Sequence, residues 1–312
     1  MTKIFIDGSA GTTGLRIYDR LSTRKDIELI ILDDDKRKDT ECRKEALNSC
    51  DIAFLCLPDK AAIETIPLVT NPNTAIIDTS TAHRTADGWT YGFPELSDFR
   101  EKIAKSKRIA NPGCHASGFV ALVQPLVKAG LINSNVNLTA FSLTGYSGGG
   151  KNMIAEYNSP DRCSLLDAPR QYALTQQHKH LKEMVAICGL DQAPVFCPIV
   201  ADFYSGMEVT VPLFANQING TMEDVKNVYR SIYNKGIIRF DESEDQEGGF
   251  MSASSYSDYD DMQITVKGND ERILLIARFD NLGKGASGSA IQNMNIIMGI
   301  DETTGLKLTE VK

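Results

Sequence analysis

The chain has 312 residues, enough for one large domain or two ordinary ones, and its 42% hydrophobic and 24% charged residues are typical of globular proteins. A net charge of −8 and a pI of about 5.1 argue against a general nucleic-acid binder, which needs a basic face to replace counterions. No apolar run approaches the roughly 18 residues that span a bilayer, and "MTKIFIDGSAG" lacks the apolar core of a signal peptide, so the sequence predicts a cytoplasmic protein without a membrane or nucleic-acid partner.

The first 80 residues alternate short apolar strands with helical segments. Strands are predicted at 3–7, 27–33, 51–58 and 73–80, and the segment 15–24 roughly keeps helical spacing. The second strand is apolar on both faces, as buried parallel strands are. This alternation predicts a Rossmann-like, doubly wound parallel sheet.

The sequence pattern changes after residue 114. A buried helix is predicted at 117–131, a strand running into a glycine loop at 137–151, and an amphipathic helix at 173–189. The next predicted elements are strands at 206–214, 261–268 and 271–280, and helices at 222–236 and 285–300. Longer, alternating strands of this kind predict a second domain with a mixed or antiparallel sheet.

The last predicted helix returns the chain to the first domain. We therefore expect residues 1–115 and 285–312 to form one domain and residues 116–284 to form the other. The segment 241–249 is expected to be an acidic surface loop.

Three glycines, Gly8, Gly11 and Gly14, separate the first strand from the first helix. Their spacing differs from the better-known G-x-G-x-x-G, and a plain glycine turn is the alternative reading. Glycines nevertheless permit a tight turn, and the following helix offers N–H groups and a partial positive charge to a pyrophosphate. We predict a dinucleotide site here, with Ser9, Thr12 and Thr13 as further binding residues.

The cluster "DDDKRKD" at 33–39 follows the second predicted strand. Asp33 favours NAD, because a carboxylate binds the ribose 2′-hydroxyl. Lys36, Arg37 and Lys38 favour NADP, because they neutralise a 2′-phosphate. A solvated charge cluster is the third possibility, and the residues alone leave the choice open.

Cys114 follows Pro112-Gly113, where a helix is predicted to start. The chain has seven cysteines at scattered positions and no C-x-x-C pair, which fits neither a disulfide framework nor a zinc site. Cys56 and Cys197 lie in apolar runs and are expected to be inert core residues. A thiol at a helix N-terminus is different, because the helix dipole stabilises its thiolate and the N–H groups can hold an oxyanion.

A thiolate nucleophile needs a proton partner, and the chain has four histidines: His83, His115, His178 and His180. His115 is expected to point away from Cys114, its neighbour in sequence. His178 and His180 lie on the predicted helix 173–189 with Glu183. Residues two apart cannot share a helix face, which argues against a metal site, and surface charges are the alternative reading.

Seven motifs in this order carry a resemblance that covers nearly the whole chain. The chain resembles the N-acetyl-gamma-glutamyl-phosphate reductases of arginine biosynthesis, in the shorter of their two types. The pair "NPGC" and "HKHLKEM" is specific, whereas the glycine loop is shared with aspartate-semialdehyde dehydrogenases. The motifs are "GSAGTTG" (8–14), "DTSTAHR" (78–84), "YGFPEL" (91–96), "NPGCHASG" (111–118), "SLTGYSGGGK" (142–151), "QHKHLKEM" (177–184) and "NLGKGASGSAIQNMN" (281–295).

The resemblance implies an oxidoreductase that uses NADPH to reduce an acyl phosphate, N-acetyl-glutamyl 5-phosphate, to N-acetyl-glutamate 5-semialdehyde and phosphate, through a thioester on Cys114. It implies His178 as the acid/base residue and Glu183 as its orienting partner. Further cofactor contacts are expected from Arg37, Lys38, Ser80 and Asn293, and substrate contacts from Arg84, Asn111, Ser147 and His180. The resemblance also implies homodimers or homotetramers formed through the second-domain sheet.

Three other functions compete with this interpretation. An aspartate-semialdehyde dehydrogenase would use the same chemistry on a substrate with a free amine. A cofactor-independent cysteine hydrolase would use Cys114 and His178 but would leave the glycine loop unexplained. A nucleotide-sensing regulator would need no reactive cysteine at all.

Overall fold

A computed structural model describes residues 1–234, 236–243 and 248–310. The chain divides into two compact units, Met1–Pro112 with Ala286–Leu306, and Gly113–Gly285 with the described residues 307–310. We expected all of 285–312 in the first unit, but Asp260 N–H donates to the Lys307 carbonyl at 2.7 Å and the Asp260 carboxylate accepts the Lys307 N–H at 2.9 Å. These bonds group the end of the described chain with the second unit.

The first unit is a doubly wound sheet with the strand order β2-β1-β3-β4-β6-β5, and all its pairs are parallel. The predicted fold class is confirmed. The strands are β1 (Thr2–Asp7), β2 (Ile27–Ile30), β3 (Ile52–Leu55), β4 (Ala75–Asp78), β5 (Thr90–Tyr91) and β6 (Arg108–Ala110). The helices are α1 (Thr12–Leu21), α2 (Thr40–Ser49), α3 (Asp59–Thr65), α4 (Phe99–Lys105) and, from the far end of the chain, α9 (Gly288–Met298).

Helices cover both faces of the first sheet. Successive side chains of a strand point to opposite faces, so each strand contributes to two clusters. Ile4 and Ile6 of β1 pack in a cluster with residues of α1, α4 and α9. Phe5, between them, packs in a second cluster with Ala46 and Leu47 of α2. This arrangement brings the carboxyl ends of β1, β3 and β4 to one edge, where ligands bind in such sheets.

The second unit is built on a mixed sheet with the order β11-β12-β13-β10-β7-β9-β8. Its strands are β7 (Thr139–Gly145), β8 (Arg170–Gln171), β9 (Val195–Ala201), β10 (Met207–Phe214), β11 (Ile238–Phe240), β12 (Met262–Asn269) and β13 (Arg272–Phe279). Its helices are α5 (Cys114–Lys128), α6 (Gly150–Asn158), α7 (Leu181–Cys188) and α8 (Met222–Ile232). The pairs β7/β9 and β11/β12 are parallel and the others antiparallel.

Helix α5 packs closely on one face of this sheet. A Cβ at Gly118 would lie 2.6 Å from a Val209 methyl and 2.9 Å from the Phe279 ring, so only glycine permits this approach. On the other face Phe141, Val195, Phe214 and Leu274 are exposed. The second sheet therefore has one face under helices and one apolar face that no described residue covers fully.

Three sequence predictions need correction. The helix expected at 173–189 begins only at Leu181, because Ala173 and Gln176 have left-handed backbone angles (φ 53° and 56°) that an α-helix does not contain. Strand β2 ends at Ile30 rather than at residue 33. Helix α2 was missed, although Asp39 accepts the Cys42 N–H at 2.8 Å as an N-cap.

Of the acidic loop predicted at 241–249, residues 244–247 lie outside the described residues. In the described ranges, no helix combines the length and apolarity that a membrane crossing requires.

Candidate active site and cofactor site

Cys114 is the first residue of α5, and it is partly exposed. The N-cap residue Gly113 makes no side-chain cap, so backbone N–H groups and the positive end of the dipole of a 15-residue helix surround the thiol. A Cβ at Gly285 would lie 3.0 Å from the Cβ of Cys114. This glycine keeps room beside the thiol. The geometry matches that expected for a stabilised thiolate.

Glu183 holds the turn that carries the cysteine. It lies in the first turn of α7, is 2% exposed, and its Oε1 accepts the Gly113 N–H at 2.7 Å. A buried carboxylate is costly unless it is bonded, so this contact fixes the position of the turn. The sequence suggested Glu183 as a partner of His178; the contact described here is with the backbone directly before Cys114.

Three histidine rings meet in the second unit. The His115 ring centroid lies 5.5 Å from that of His178 and 5.6 Å from that of His180, and the latter two lie 4.7 Å apart. His115, which we expected to point away from Cys114, therefore belongs to the same cluster as His178 and His180. His178 and His180 meet because they precede the helix rather than lie on it.

A side chain fixes the segment that carries these histidines. Gln176 Nε2 donates to the Phe196 carbonyl at 2.8 Å, and its Oε1 accepts the Phe196 N–H at 2.9 Å. Phe196 belongs to β9, and its ring lies 5.1 Å from the His178 ring. These two bonds offset the cost of the left-handed backbone at Gln176, which is about 1 kcal/mol or more.

The contacts of His178 assign its tautomer. Its Nδ1 accepts the His180 N–H at 3.2 Å, so in the neutral ring the proton is on Nε2. A neutral His178 therefore has a fixed orientation, with Nε2 as its hydrogen-bond donor. His180 is 5% exposed and lies more deeply than His178, which is partly exposed.

His115 is a neutral member of the cluster. Its Nδ1 lies 2.6 Å from the Ser142 hydroxyl and its Nε2 2.6 Å from the Tyr172 hydroxyl. Burial, with a smaller contribution from the charge on His178, lowers the pKa of His115 to about 3. Burial and the nearby Cys114 charge raise the pKa of Tyr172, so both groups stay uncharged at neutral pH.

The glycine loop of the first unit has the predicted geometry. Gly8 has φ 88°, and a Cβ there would collide with the Cys56 carbonyl at the end of β3. A Cβ at Gly14 would collide with the Gly8 carbonyl, and Gly11 N–H donates to that carbonyl at 2.9 Å. Helix α1 follows with Gly11 as an N-cap that makes no side-chain bond, so its first N–H groups, at Thr12 and Thr13, face the loop end.

A cavity of about 710 Å³ opens beside this loop. Its walls contain apolar side chains that suit a base, among them Leu15, Tyr18 and Leu29. Gly8, Ser9, Arg37 and Lys38, whose cofactor binding stays a prediction, also line it, whereas Asp33 is exposed and bonded to Lys36 at 3.0 Å. The cavity therefore combines an apolar slot with cations near the position expected for a 2′-phosphate.

Sequence reasoning missed Arg43, a third basic residue of this cavity. Its guanidinium forms an ion pair with Asp7 at 2.8 Å and donates to the Thr65 hydroxyl at 2.6 Å. Asp7 is 3% exposed and precedes the glycine loop, so Arg43 neutralises a buried carboxylate beside a phosphate site. The pair is 36 residues apart in sequence, and no local pattern indicates it.

Ser80 and Arg84, the two predicted binding residues of the "DTSTAHR" segment, form hydrogen bonds within that segment or to nearby backbone. The Ser80 hydroxyl donates to Asp78 at 2.7 Å. Arg84 is 9% exposed and donates to the carbonyls of Asn111 and Thr79, at 2.9 and 3.2 Å. The described contacts of Arg84 therefore tie this segment to the one before Cys114; substrate binding by Arg84 stays a prediction.

The predicted amide residues are buried. Asn111 Nδ2 donates to the Ala286 carbonyl at 3.0 Å, and Asn293 Nδ2 donates to the Gly92 carbonyl at 2.9 Å. Asn293 Oδ1 is buried and lacks a hydrogen-bond partner among the described residues. In the second unit the Ser147 hydroxyl accepts from Asn281 at 3.0 Å. Of these residues, Asn293 is the one with an unsatisfied side-chain oxygen.

Within residues 1–234, 236–243 and 248–310, no group of three or more His, Cys, Asp or Glu side chains is arranged to hold a metal ion. This applies to the three clustered histidines as well.

Comparison with known proteins defines the class. The family model for the NAD binding domain of semialdehyde dehydrogenases matches residues 3–106, and that for their dimerisation domain matches residues 114–281. An aspartate semialdehyde dehydrogenase II from Vibrio cholerae, solved with ASA, is similar with a TM-score of 0.71 and 14% identity, covering 96% of this chain and 98% of that one. A Candida albicans aspartate semialdehyde dehydrogenase solved with NADP has a TM-score of 0.68 and 17% identity, with the same coverages. The fold is that of the semialdehyde dehydrogenases.

Relatives at higher identity specify the family. The N-acetyl-gamma-glutamyl-phosphate reductase 2 of a Nostoc species is 44% identical, covering 97% of this chain and 99% of the relative. The N-acetyl-gamma-glutamyl-phosphate reductase of a Chelativorans species is 42% identical, covering 95% of this chain and 98% of the relative. The chain belongs to the N-acetyl-gamma-glutamyl-phosphate reductase family, which confirms the resemblance and the prediction of an oxidoreductase.

Proposed function

We propose that the protein reduces N-acetyl-glutamyl 5-phosphate to N-acetyl-glutamate 5-semialdehyde and phosphate with NADPH, reversibly, as the third step of arginine biosynthesis in the cytoplasm. The observation that supports it is Cys114 at the start of α5, in a unit that also holds the His178 cluster. Family membership supports the choice of an acyl phosphate with an acylated amine.

Cys114 is the nucleophile of this reaction. His178 accepts the thiol proton at the ring nitrogen that is unprotonated in the neutral imidazole, and the thiolate attacks the acyl carbon. The N–H groups at the start of α5 stabilise the oxyanion. The new C–S bond replaces the C–O bond to phosphate, which leaves with the bonding electrons.

The second half-reaction regenerates the thiol. NADPH, when bound, supplies the hydride that reduces the thioester carbonyl carbon. The C–S bond then breaks with its electrons on sulfur, and His178 returns its proton to Cys114 as the semialdehyde leaves. Glu183 keeps the Cys114 turn in place throughout, and neutral His115 adds no positive charge to the cluster.

The first unit fits NADP(H) on three observations. The glycine loop has no room for a Cβ at Gly8 or Gly14, so its backbone is exposed to a pyrophosphate. Arg37 and Lys38 line the cavity on the β2 side, where a 2′-phosphate is expected. The orphaned Asn293 Oδ1 can accept from an amide donor. Ser80 completes the proposed set, together with Ser9, Gly11, Thr12 and Thr13.

For the substrate we propose Arg84, Asn111, Ser147 and His180 as binding residues. The guanidinium of Arg84 supplies the positive charge that binds a carboxylate or phosphate. The His180 ring centroid lies 4.7 Å from that of His178. Their bonds to neighbouring backbone and side chains hold them in place before substrate binds.

We also propose a homodimer, alone or within a tetramer, formed through the apolar face of the second sheet. Phe141, Phe214, Pro212 and Leu274 share this face, because Pro212 pairs with Leu274 and Phe141 with Thr210 in antiparallel register. Exposed apolar patches of this kind mark interfaces. In this scheme the first unit binds NADP(H), and the second performs catalysis and dimerisation.

A phosphate-dependent assay tests the proposed reaction. The enzyme, NADP⁺ and inorganic phosphate are mixed with N-acetyl-glutamate 5-semialdehyde, and NADPH formation is followed. We expect turnover that requires phosphate and exceeds turnover of aspartate semialdehyde at least a hundredfold. Preference for aspartate semialdehyde would reassign the substrate, and turnover without phosphate would refute acyl-phosphate chemistry.

A further inference from the structure

Of the side-chain cluster at the end of β4, only Ser80 has a role in the function proposed above. The buried carboxylate of Asp78 accepts the Ser80 hydroxyl and lies 2.6 Å from Nδ1 of His83. The His83 ring also stacks on Trp89, with centroids 4.1 Å apart and planes inclined by 14°. These two contacts fix both the position and the plane of the imidazole.

Asp78 decides which His83 nitrogen carries the proton. A carboxylate accepts hydrogen bonds, so the 2.6 Å contact places a proton on Nδ1, and in the neutral ring Nε2 is then an acceptor. The contacts that the described residues make with His83 run through Nδ1 and the ring face. The side chain is 11% exposed, so solvent or a ligand can reach part of an imidazole whose Nε2 has a fixed position.

The position of the cluster in the sheet indicates which ligand it meets. One strand, β3, separates β4 from β1, so the end of β4 lies about 10 Å from the glycine loop on the same edge. Thr79 donates to the Leu55 carbonyl at 3.0 Å, and Gly8 packs on the next carbonyl, that of Cys56. The cluster and the glycine loop therefore flank the same end of β3.

The basic cavity lies mainly on the β2 side of the loop, and Leu57 and Ala61, which follow β3, complete its lining. It contains Leu29 to Leu32 of β2 and its extension, with Arg37 and Lys38 in the turn that follows. An adenosine half in this cavity, with its pyrophosphate at the start of α1, leaves the β3 and β4 side for the second nucleoside.

We propose that Nε2 of His83 accepts a hydrogen bond from the nicotinamide nucleoside half of NADP(H), from a ribose hydroxyl or the carboxamide. Asp78 and Trp89 are positioning residues for this imidazole. The inference rests on the proposed function, since it requires a dinucleotide in the first unit.

Two substitutions of His83 separate its two nitrogens. In His83→Asn the amide nitrogen stands near the position of Nδ1 and keeps a donor for Asp78, but the side chain ends before Nε2. In His83→Gln an amide oxygen reaches the position of Nε2. The ligands are NADP⁺ and 2′,5′-ADP, which has the adenosine half alone, and their Kd values are measured by calorimetry on the full chain.

We expect His83→Asn to weaken NADP⁺ binding about two- to tenfold, the range of one neutral hydrogen bond, and to leave 2′,5′-ADP binding unchanged. His83→Gln should weaken NADP⁺ binding less than His83→Asn does. An unchanged NADP⁺ Kd in His83→Asn would overturn the proposal, and so would an equal weakening of both ligands. A raised KM for phosphate with an unchanged NADP⁺ Kd would overturn it by assigning His83 to the substrate.

If His83→Asn does not fold, His83→Gln is compared with His83→Phe, which keeps a ring against Trp89 but has no acceptor. The Kd values for NADP⁺ and 2′,5′-ADP then test the proposal. Of these two variants, only His83→Phe should bind NADP⁺ more weakly. Failure of the proposed function has a different signature: wild-type protein would bind neither NADP⁺ nor 2′,5′-ADP.

Discussion

The Glu183 carboxylate accepts the backbone N–H of Gly113 at 2.7 Å, one residue before the proposed nucleophile. Glu183→Ala removes this bond from a buried N–H group and releases the turn that positions Cys114. A displacement of about 1 Å at a reacting atom can cost about 10²-fold in rate, so we expect kcat to fall about 10- to 100-fold. Steady-state assays should show this loss with an unchanged Kd for NADP⁺.

Glu183→Gln is the matched control, because its amide oxygen still accepts the Gly113 N–H. We expect it to retain most of the activity and the wild-type rate of Cys114 alkylation without substrate. A glutamine variant as inactive as the alanine variant, with a shifted pH profile of kcat/KM, would show that Glu183 acts by its charge on His178 instead.

Local sequence patterns predicted the strands β1 to β4 and the glycine loop of the first unit. Alternating apolar strands and a glycine loop are features of short segments, and Gly8 and Gly14 are required by contacts within the loop and with β3. Likewise, Pro112-Gly113 correctly predicted that a helix starts at Cys114.

The second unit shows where such reasoning fails. The segment 173–180 has amphipathic spacing, but the bonds between Gln176 and Phe196, 20 residues away, impose turns in place of a helix. The histidine cluster depends on those turns, so its geometry was inaccessible from helical periodicity. Arg43 was missed for the same reason, because its partner Asp7 is distant in sequence.

Selective alkylation tests Cys114 as the nucleophile. Burial raises the pKa of Cys50 and Cys56 to about 12 and that of Cys188 further, so these thiols contain almost no thiolate at pH 7.5. Iodoacetamide should therefore modify Cys114 first, and N-acetyl-glutamate 5-semialdehyde should protect it. Peptide mass spectrometry after short exposures measures the order.

Cys163 is exposed, so the labelling is best done in a Cys163→Ser background. In that background Cys114→Ala should abolish both rapid labelling and turnover. Full activity of Cys114→Ala would refute the thioester mechanism.

Cofactor preference should depend on Arg37. Its pairing with Asp34 is at the surface and weak, so its guanidinium is available to a 2′-phosphate. Losing a charge-assisted bond costs about 1.5–3 kcal/mol, so Arg37→Ala should raise KM for NADPH about tenfold or more and KM for NADH less than twofold. Lys36→Ala is the control, since Lys36 bonds to Asp33 and does not line the cavity. Equal kcat/KM of the wild-type enzyme for NADPH and NADH would contradict the NADPH preference.

Alanine variants of His178 and His180 test which of the two is the acid/base residue. General acid–base catalysis contributes about 10²–10⁴-fold, so His178→Ala should lower kcat within that range and leave NADP⁺ binding nearly unchanged. His180→Ala should lose less activity, mainly through a higher KM for the substrate. Melting temperatures must show that both variants fold. If His180→Ala is inactive while His178→Ala is active, the two roles must be exchanged.

The pH dependence of stability should report the buried, neutral His115. Its pKa of about 3 in the folded protein lies below the usual 6.5 of an unfolded chain, so the unfolded state binds more protons between these values. The stability from this group is therefore complete above pH 6.5 and is lost as the pH falls toward 3, by about 2 kcal/mol between pH 7.5 and 5.0.

His115→Gln removes this titration, although it lowers stability at pH 7.5 by loosening the bonds to Ser142 and Tyr172. Urea unfolding at pH 7.5, 6.5 and 5.0 gives the free energy of unfolding of both proteins, and the other histidines largely cancel in the difference. We expect the wild-type advantage to shrink by about 2 kcal/mol from pH 7.5 to 5.0. Parallel curves would mean that His115 protonates as readily in the folded protein as in the unfolded one, and that the cluster does not keep it neutral.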